Sequence, residues 1–284
     1  MKFGISFFAT DTTLQPVALA RAVEERGFES LWLSEHSHIP TSRETPWGRV
    51  PDAPPLPDRY SRTHDSFVAL AAAAAVTERI LLGTAITLLA QRDPIWTAKE
   101  VASLDVVSNG RVVFGVGYGW NTEEMASHGV EYGRRRALLR EKLLMMKSLW
   151  TDEVASFEGD LLTLAPSWAW PKPVQKPHPP IILGGGAGPR TMADIVELCD
   201  GWIPLGRHEL DEGVVAMIKR ALADAGRDPD AFDLTYFGAP PEEAAVERLE
   251  RLGFTRALFT LPSDPPAETI DRLDEIARFA ESRP

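Results

Sequence analysis

Cysteine is almost absent: Cys199 stands alone among 284 residues. One thiol builds neither a disulfide framework nor a cysteine-based metal site. Set in an apolar helical pattern, Cys199 reads as a small packed residue and not as a nucleophile. Long apolar runs are missing as well. The longest, at 67–76, is too short and too rich in alanine to span a bilayer. The opening Met1-Lys2-Phe3-Gly4-Ile5 lacks the basic and apolar regions of a signal peptide. Positive charge is in the minority, with 30 Lys and Arg against 41 Asp and Glu and a net charge of −11. Such a surface argues against nucleic acid or an anionic membrane as partner. The expectation is a cytoplasmic protein acting on a small molecule.

Several catalytic signatures are lacking too. The chain has no G-x-G-x-x-G fingerprint, no P-loop Gly-Lys-Ser/Thr and no G-x-S-x-G elbow. Covalent catalysis by serine or cysteine is not expected. No H-x-x-x-H stands on a helix, and adjacent strand residues point to opposite faces, so no metal site is expected. None of the lysines clearly closes a strand, which counts against a Schiff-base aldolase.

What is present is an alternation. Apolar runs at 3–8, 30–34, 79–86, 111–116, 181–183, 201–205, 233–237 and 256–261 read as strands, each followed by a helix. The helix at 135–150 shows the pattern most clearly, with Leu139, Leu143, Met146 and Trp150 on one face. The strands are apolar on both faces, as parallel strands covered by helices must be. Eight βα units in this length fit a (β/α)8 TIM barrel spanning residues 1–284 as one domain; an open doubly wound sheet is the alternative. Thr63 is a candidate N-cap for the second helix.

Two insertions break the rhythm. Residues 37–62, after the second strand, hold six prolines and follow a strand's C-terminal end, where barrel active sites are built. They read as a substrate-side lid. Residues 151–180, between the fourth helix and fifth strand, hold a hairpin at 154–157 and 161–164. They serve either a function or as a packing arm or oligomer contact.

The strand ends supply the chemistry. The second delivers Ser34-Glu35-His36-Ser37-His38, and histidine is the side chain that titrates near neutrality. His38 and His64 read as structural. The third strand delivers Gly83-Thr84-Ala85-Ile86-Thr87. The fourth delivers Gly115-Val116-Gly117-Tyr118-Gly119-Trp120-Asn121, whose alternating glycines clear space for something flat and large. The fifth runs into Gly184-Gly185-Gly186 ahead of a helix. Glycines feeding a helix N-terminus make an anion cradle, though a tight βα turn also tolerates them. Arg190 and Arg207 are candidate basic partners for a phosphate there. These features fit a flavin-type oxidoreductase, and also a barrel isomerase or aldolase.

The motifs Leu31-Trp32-Leu33-Ser34-Glu35-His36, Arg62-Thr63-His64-Asp65, Gln91-Arg92-Asp93-Pro94, Gly115 through Asn121, and Pro171-Lys172-Pro173-Val174-Gln175 together resemble the bacterial luciferase-like oxidoreductases. The branch they resemble in particular uses coenzyme F-420, a deazaflavin. The resemblance covers nearly the whole chain and implies a (β/α)8 barrel. It implies that His36 is the catalytic residue. It also implies a non-prolyl cis peptide at Ala85–Ile86, beside Thr84, against the cofactor ring. Cofactor contacts are implied at Gly117, Tyr118, Gly119 and Asn121, and a phosphate on Gly184, Gly185 and Gly186 with Arg190 and Arg207. The implied reaction is hydride transfer between coenzyme F-420 and a small organic substrate, in a homodimer. Relatives that use FMN share most of these motifs, so an FMN-dependent monooxygenase fed by a separate reductase is the alternative. A non-catalytic flavin carrier and a phosphate-substrate lyase or isomerase are further readings. One position departs: the sugar-phosphate dehydrogenase branch has an acid where this chain has Trp120, which favours a more apolar substrate.

Overall fold

Eight parallel strands close on themselves in the computed structural model, which describes residues 1–204, 212–263 and 265–283. They are β1 (Lys2–Phe7), β2 (Ser30–Leu33), β3 (Leu81–Thr84), β4 (Val112–Gly117), β7 (Ile181–Gly185), β8 (Gly201–Pro204), β9 (Asp233–Phe237) and β10 (Arg256–Thr260). Neighbours follow chain order round the ring, and β10 closes it by pairing Phe3 with Ala257 and Ile5 with Phe259. The (β/α)8 barrel expected from the alternation is the fold, and the open sheet is excluded.

Large and small side chains interlock inside the ring. Trp32, Val113, Ile182, Ile203 and Leu258, from five different strands, form one buried cluster with Ala85. The Trp32 indole lies over Gly83, where a Cβ would stand only 2.4 Å away. Its Nε1 donates to Ser30 Oγ at 2.8 Å, so the buried ring keeps its one polar group satisfied. A second, larger cluster lies between strands and helices, with Phe7, Leu31, Phe114, Leu143 and Trp150 among its members.

The helices begin where the backbone donors find partners. Asp65 caps α2 (Ser66–Ala74) by accepting from Val68 N at 2.9 Å. Asp93 caps α3 (Pro94–Val107) by accepting from Trp96 N at 2.8 Å. Thr63, the expected cap of α2, instead donates to the His36 carbonyl at 2.8 Å. One helix was not legible in the sequence: α4 (Thr122–Ser127), six residues between β4 and α5 (Arg135–Thr151).

The two insertions go to different places. Residues 37–62 cross the C-terminal mouth and are tied down there. Arg62 grips Asp11 with two bonds at 2.8 and 2.7 Å, and Trp47 Nε1 donates to the Tyr60 hydroxyl at 2.9 Å. Residues 151–180 pack on the outer helices. Their hairpin, β5 (Ala155–Glu158) and β6 (Thr163–Ser167), is held by Glu141 of α5, which accepts from the amides of Asp160, Leu161 and Leu162. Gln175 is fixed to Asp105 of α3 at 2.7 Å. This second insertion is a packing arm.

Candidate active site

The C-terminal strand ends enclose a cavity of about 560 Å³. His36, Ala85, Ile86, Tyr118, Gly119 and Gly184 to Gly186 all line it, as do Gly48, Arg49 and Tyr60 of the first insertion. The lid position expected for 37–62 is thus the observed one. No lysine of the described residues lines this cavity.

His36 is buried, and its ring is held from one side. Its Nδ1 lies 2.7 Å from Glu124 Oε2. Glu124 is itself buried, at the third position of α4. Its Oε1 accepts from Ser37 N at 3.0 Å and Gln91 Nε2 at 2.9 Å. Burial pushes the Glu124 carboxyl upward, but the bonds from His36, Gln91 and Ser37 outweigh it and hold the group below its usual value. An ionised Glu124 takes a proton-bearing Nδ1, which leaves Nε2 as the free nitrogen of His36. Ring contacts complete the setting: Tyr60, tilted, and Trp120, edge-on, stand 5.1 and 5.9 Å from the imidazole.

Glu35, the neighbouring carboxylate, turns the other way. It accepts from Arg92 Nε at 3.0 Å, from Ser66 Oγ at 3.1 Å and from Leu88 N at 3.1 Å. Arg92 also reaches Asp65 at 2.7 Å and Glu100 at 3.0 Å, and these carboxylates hold its guanidinium charged against the pull of burial. This knot fastens β2 to the start of α3 and fixes the backbone that presents His36.

The alternating glycines of β4 do a different job from the one expected. A Cβ on Gly115 would lie 1.8 Å from the Thr84 carbonyl oxygen, and one on Gly117 would lie 1.8 Å from Ile86 Cδ1. They make room for the end of β3, where the Ala85–Ile86 peptide is cis as the resemblance implied. Gly119, at φ +76°, turns the chain toward α4. Thr84 donates to the Gly115 carbonyl at 2.7 Å and stays behind the wall with Gly117. Asn121 is also outside the cavity lining: its side chain caps α4 by accepting from Glu124 N at 3.4 Å.

The other end of the cavity is cationic, through residues the sequence reading passed over. Arg136 stacks 3.9 Å over the Tyr118 ring and donates to Thr191 Oγ1 at 3.2 Å, beside the glycine loop. Arg135 and Arg49 cover the Tyr132 ring at 3.5 and 4.3 Å. None of the three has a carboxylate of the described residues within ion-pair distance, whereas Arg92 and Arg256 are each held by at least two. Burial, with Arg136 and Arg49 nearby, pushes the Arg135 guanidinium below its usual value, and its buried Nε has no partner among the described residues. Tyr118 donates to Asp194 Oδ2 at 2.5 Å; burial and that carboxylate push its phenol upward, so it stays protonated. Arg190 is exposed on α6 (Pro189–Leu198) and outside the cavity, whereas Arg136 lines it. Arg207 lies outside the described residues. The run Arg134-Arg135-Arg136 was the available signal for this end, and the Asn121-x-x-Glu124 spacing of an N-cap and its third helical residue was the signal for Glu124.

Glu123, beside Glu124, anchors the lid. It accepts from Glu44 N at 2.9 Å and Thr45 N at 3.0 Å. Burial acts to raise its carboxyl, but bonds from Thr45, Glu44 and its own amide prevail and hold it at about 2, below the usual 4.5. A folded value below the unfolded one means that this tether is fully present above pH 4.5 and is lost as pH falls through about 2. Fluorescence of Trp47 and Trp120 is therefore expected to change across that window, and Glu123→Gln to show the low-pH signal already at neutrality. An unchanged neutral spectrum in the variant would refute the tether.

A parallel barrel with a buried His–Glu pair at its mouth, and three cavity-lining guanidinium groups without a carboxylate partner among the described residues, is the scaffold of a barrel enzyme. Residues 1–262 match the luciferase-like monooxygenase family, and the chain belongs to that family. An uncharacterized protein of Mycobacterium tuberculosis is 43% identical over 277 residues, covering 96% of this chain and 97% of that protein. The F-420-dependent glucose-6-phosphate dehydrogenase of Kineococcus radiotolerans is 29% identical over 269 residues, 92% of this chain and 73% of the relative. Among solved structures, monooxygenase RslO1 of Streptomyces bottropensis shares the fold with a TM-score of 0.82 at 20% identity, over 99% of both chains.

Proposed function

We propose that the protein transfers a hydride between coenzyme F-420 and a small apolar organic substrate. The carrying observation is the cationic end of the cavity. Arg49, Arg135 and Arg136, unpaired with any carboxylate of the described residues, line the same cavity as Gly184 to Gly186 in a protein of net charge −11. Guanidinium groups left this way hold anions by charge-assisted hydrogen bonds. Three of them exceed the need of a single phosphate such as FMN carries, and suit a cofactor whose tail bears carboxylates beyond its phosphate. The name of the Kineococcus relative supports the same cofactor.

The residues present fit such a group. Gly184 to Gly186, Arg136 and Thr191 would hold the phosphate, and Ala85, Ile86 and Tyr118 would border the ring. When bound, the deazaflavin supplies or accepts the hydride. His36, through Nε2, gives or takes the accompanying proton, and Glu124 holds the imidazole in place. Tyr60, Trp120, Phe8 and Phe237 make the rest of the wall aromatic, which excludes water and favours an apolar substrate over a sugar phosphate.

Titrating the protein with F-420 and with FMN, each followed by its own absorbance, separates the readings. The expected result is saturable binding of F-420 at least about tenfold tighter than FMN, the counterpart of one charge-assisted contact. Tight FMN binding with no affinity for F-420 would replace this reading by the reductase-fed monooxygenase. A homodimer is part of the proposal. Trp96 of α3 is 70% exposed, and Trp168 and Trp170 of the packing arm are 78% and 60% exposed. A second copy would cover them, and sedimentation at micromolar concentration reads the outcome directly.

A further inference from the structure

We infer that Glu124 is the positioning residue that fixes which nitrogen of His36 faces the cavity. His36 and Glu124 lie 88 positions apart in the chain, and both are buried. The carboxylate meets His36 through one oxygen only. Its Oε2 is 2.7 Å from His36 Nδ1, and its Oε1 is occupied by the Ser37 amide at 3.0 Å and Gln91 Nε2 at 2.9 Å. The Ser37 hydroxyl also donates to Oε1 at 3.3 Å, so all three partners on Oε1 are donors, and the Ser37 amide cannot change its role. The carboxylate thus stands as an acceptor on both sides, and Nδ1 must carry a proton to meet it. In the neutral imidazole the other nitrogen, Nε2, then has a free lone pair and can take a proton from a substrate hydroxyl.

This arrangement makes a specific statement about Glu124→Gln. The side chain keeps its shape, but its two ends now differ. Ser37 N donates, so the amide oxygen must stay where Oε1 was. The amide NH2 then faces His36 Nδ1, which has to become the acceptor. Neutral His36 is forced into the opposite tautomer, with the proton on Nε2 and no lone pair for a substrate proton. The variant replaces nothing in the cavity wall, since Glu124 does not line it.

The test has two arms. The first uses the protein without cofactor, labelled with 15N at histidine, and reads the side-chain nitrogen shifts above the titration of the ring. The wild type is expected to show the proton on Nδ1 of His36, and Glu124→Gln to show it on Nε2. The second arm rests on the hydride-transfer reading. It measures substrate oxidation by F-420-loaded protein, where kcat is expected to fall about a hundredfold with cofactor affinity changed less than twofold. Ser37→Ala, which keeps the backbone donor, is the control and should leave the tautomer as in the wild type. An Nδ1 proton retained in Glu124→Gln overturns the inference whatever the cofactor proves to be. The tautomer exchange without any F-420 affinity keeps the inference and overturns the proposed function. Should Glu124→Gln fail to fold, Gln91→Leu removes the movable donor alone and is expected to keep the proton on Nδ1; a proton on Nε2 there would overturn the inference equally.

Discussion

Arg136→Glu is expected to weaken F-420 binding by about a thousandfold, roughly 4 kcal/mol, the scale for losing and reversing a desolvated charge contact. Arg136 lines the cavity beside the glycine loop, stacks on Tyr118 and donates to Thr191, all without a carboxylate partner among the described residues. Its charge is therefore available to a ligand and is not consumed by the fold. Arg140 is the informative contrast. It stands one helical turn further along α5, is paired with Asp194 at 3.4 Å and bonds Glu197, and lies outside the cavity lining. Arg140→Glu should leave F-420 affinity within about threefold, the range of rim charges. Added salt should weaken binding to the wild type more than to Arg136→Glu, because screening acts on the charge that the variant has lost. Equal affinities for the two variants would remove the cationic end from the account.

Glu35→Ala is expected to cost about 3 kcal/mol of stability and to lower the melting temperature by about 6–9 °C. Glu35 is buried, and three donors depend on it through four contacts: Arg92 Nε, which reaches both carboxylate oxygens, Ser66 Oγ and the Leu88 amide. Arg92 keeps Asp65 and Glu100 when Glu35 is removed, which puts the loss at the low end of the range for breaking a buried pair. The residue lies between Ser34 and His36, so the same change loosens the backbone that presents the imidazole. Glu35→Gln keeps the shape and one acceptor and should recover part of the loss. A melting temperature for Glu35→Ala within about 2 °C of the wild type would show that the knot does not hold this end of β2.

These two residues also show how far the sequence could be read. The eight strands were legible because each is a short apolar run bounded by turn residues, and closure followed from their number. The hairpin of the packing arm was seen, but its second strand begins at Thr163 and not at Leu161. The reason is Glu141, which captures the amides of Asp160 to Leu162 from a helix twenty residues away. α4 was invisible because six residues carry too little periodicity, although its cap Asn121 was in plain view. His36 was legible because a strand end fixes its place. Glu124 was not, because its partner is distant in the chain. Arg135 and Arg136 were passed over, since the lack of an opposite charge beside them exists only once the chain has folded. The glycines of β4 carried a true signal with a mistaken recipient: they accommodate Thr84 and Ile86 directly, and a ligand only through them.

The central claim is hydride transfer with His36 as proton partner, and turnover under anaerobic conditions tests it most directly. Reduced F-420 is mixed with the protein and a panel of small apolar carbonyl compounds, and the deazaflavin absorbance is followed over time. The account predicts return of the oxidised chromophore in step with alcohol formed, and at least about a hundredfold slower return with His36→Ala at unchanged cofactor affinity. Bound F-420 that stays reduced with every carbonyl, or a His36→Ala rate equal to that of the wild type, would contradict it.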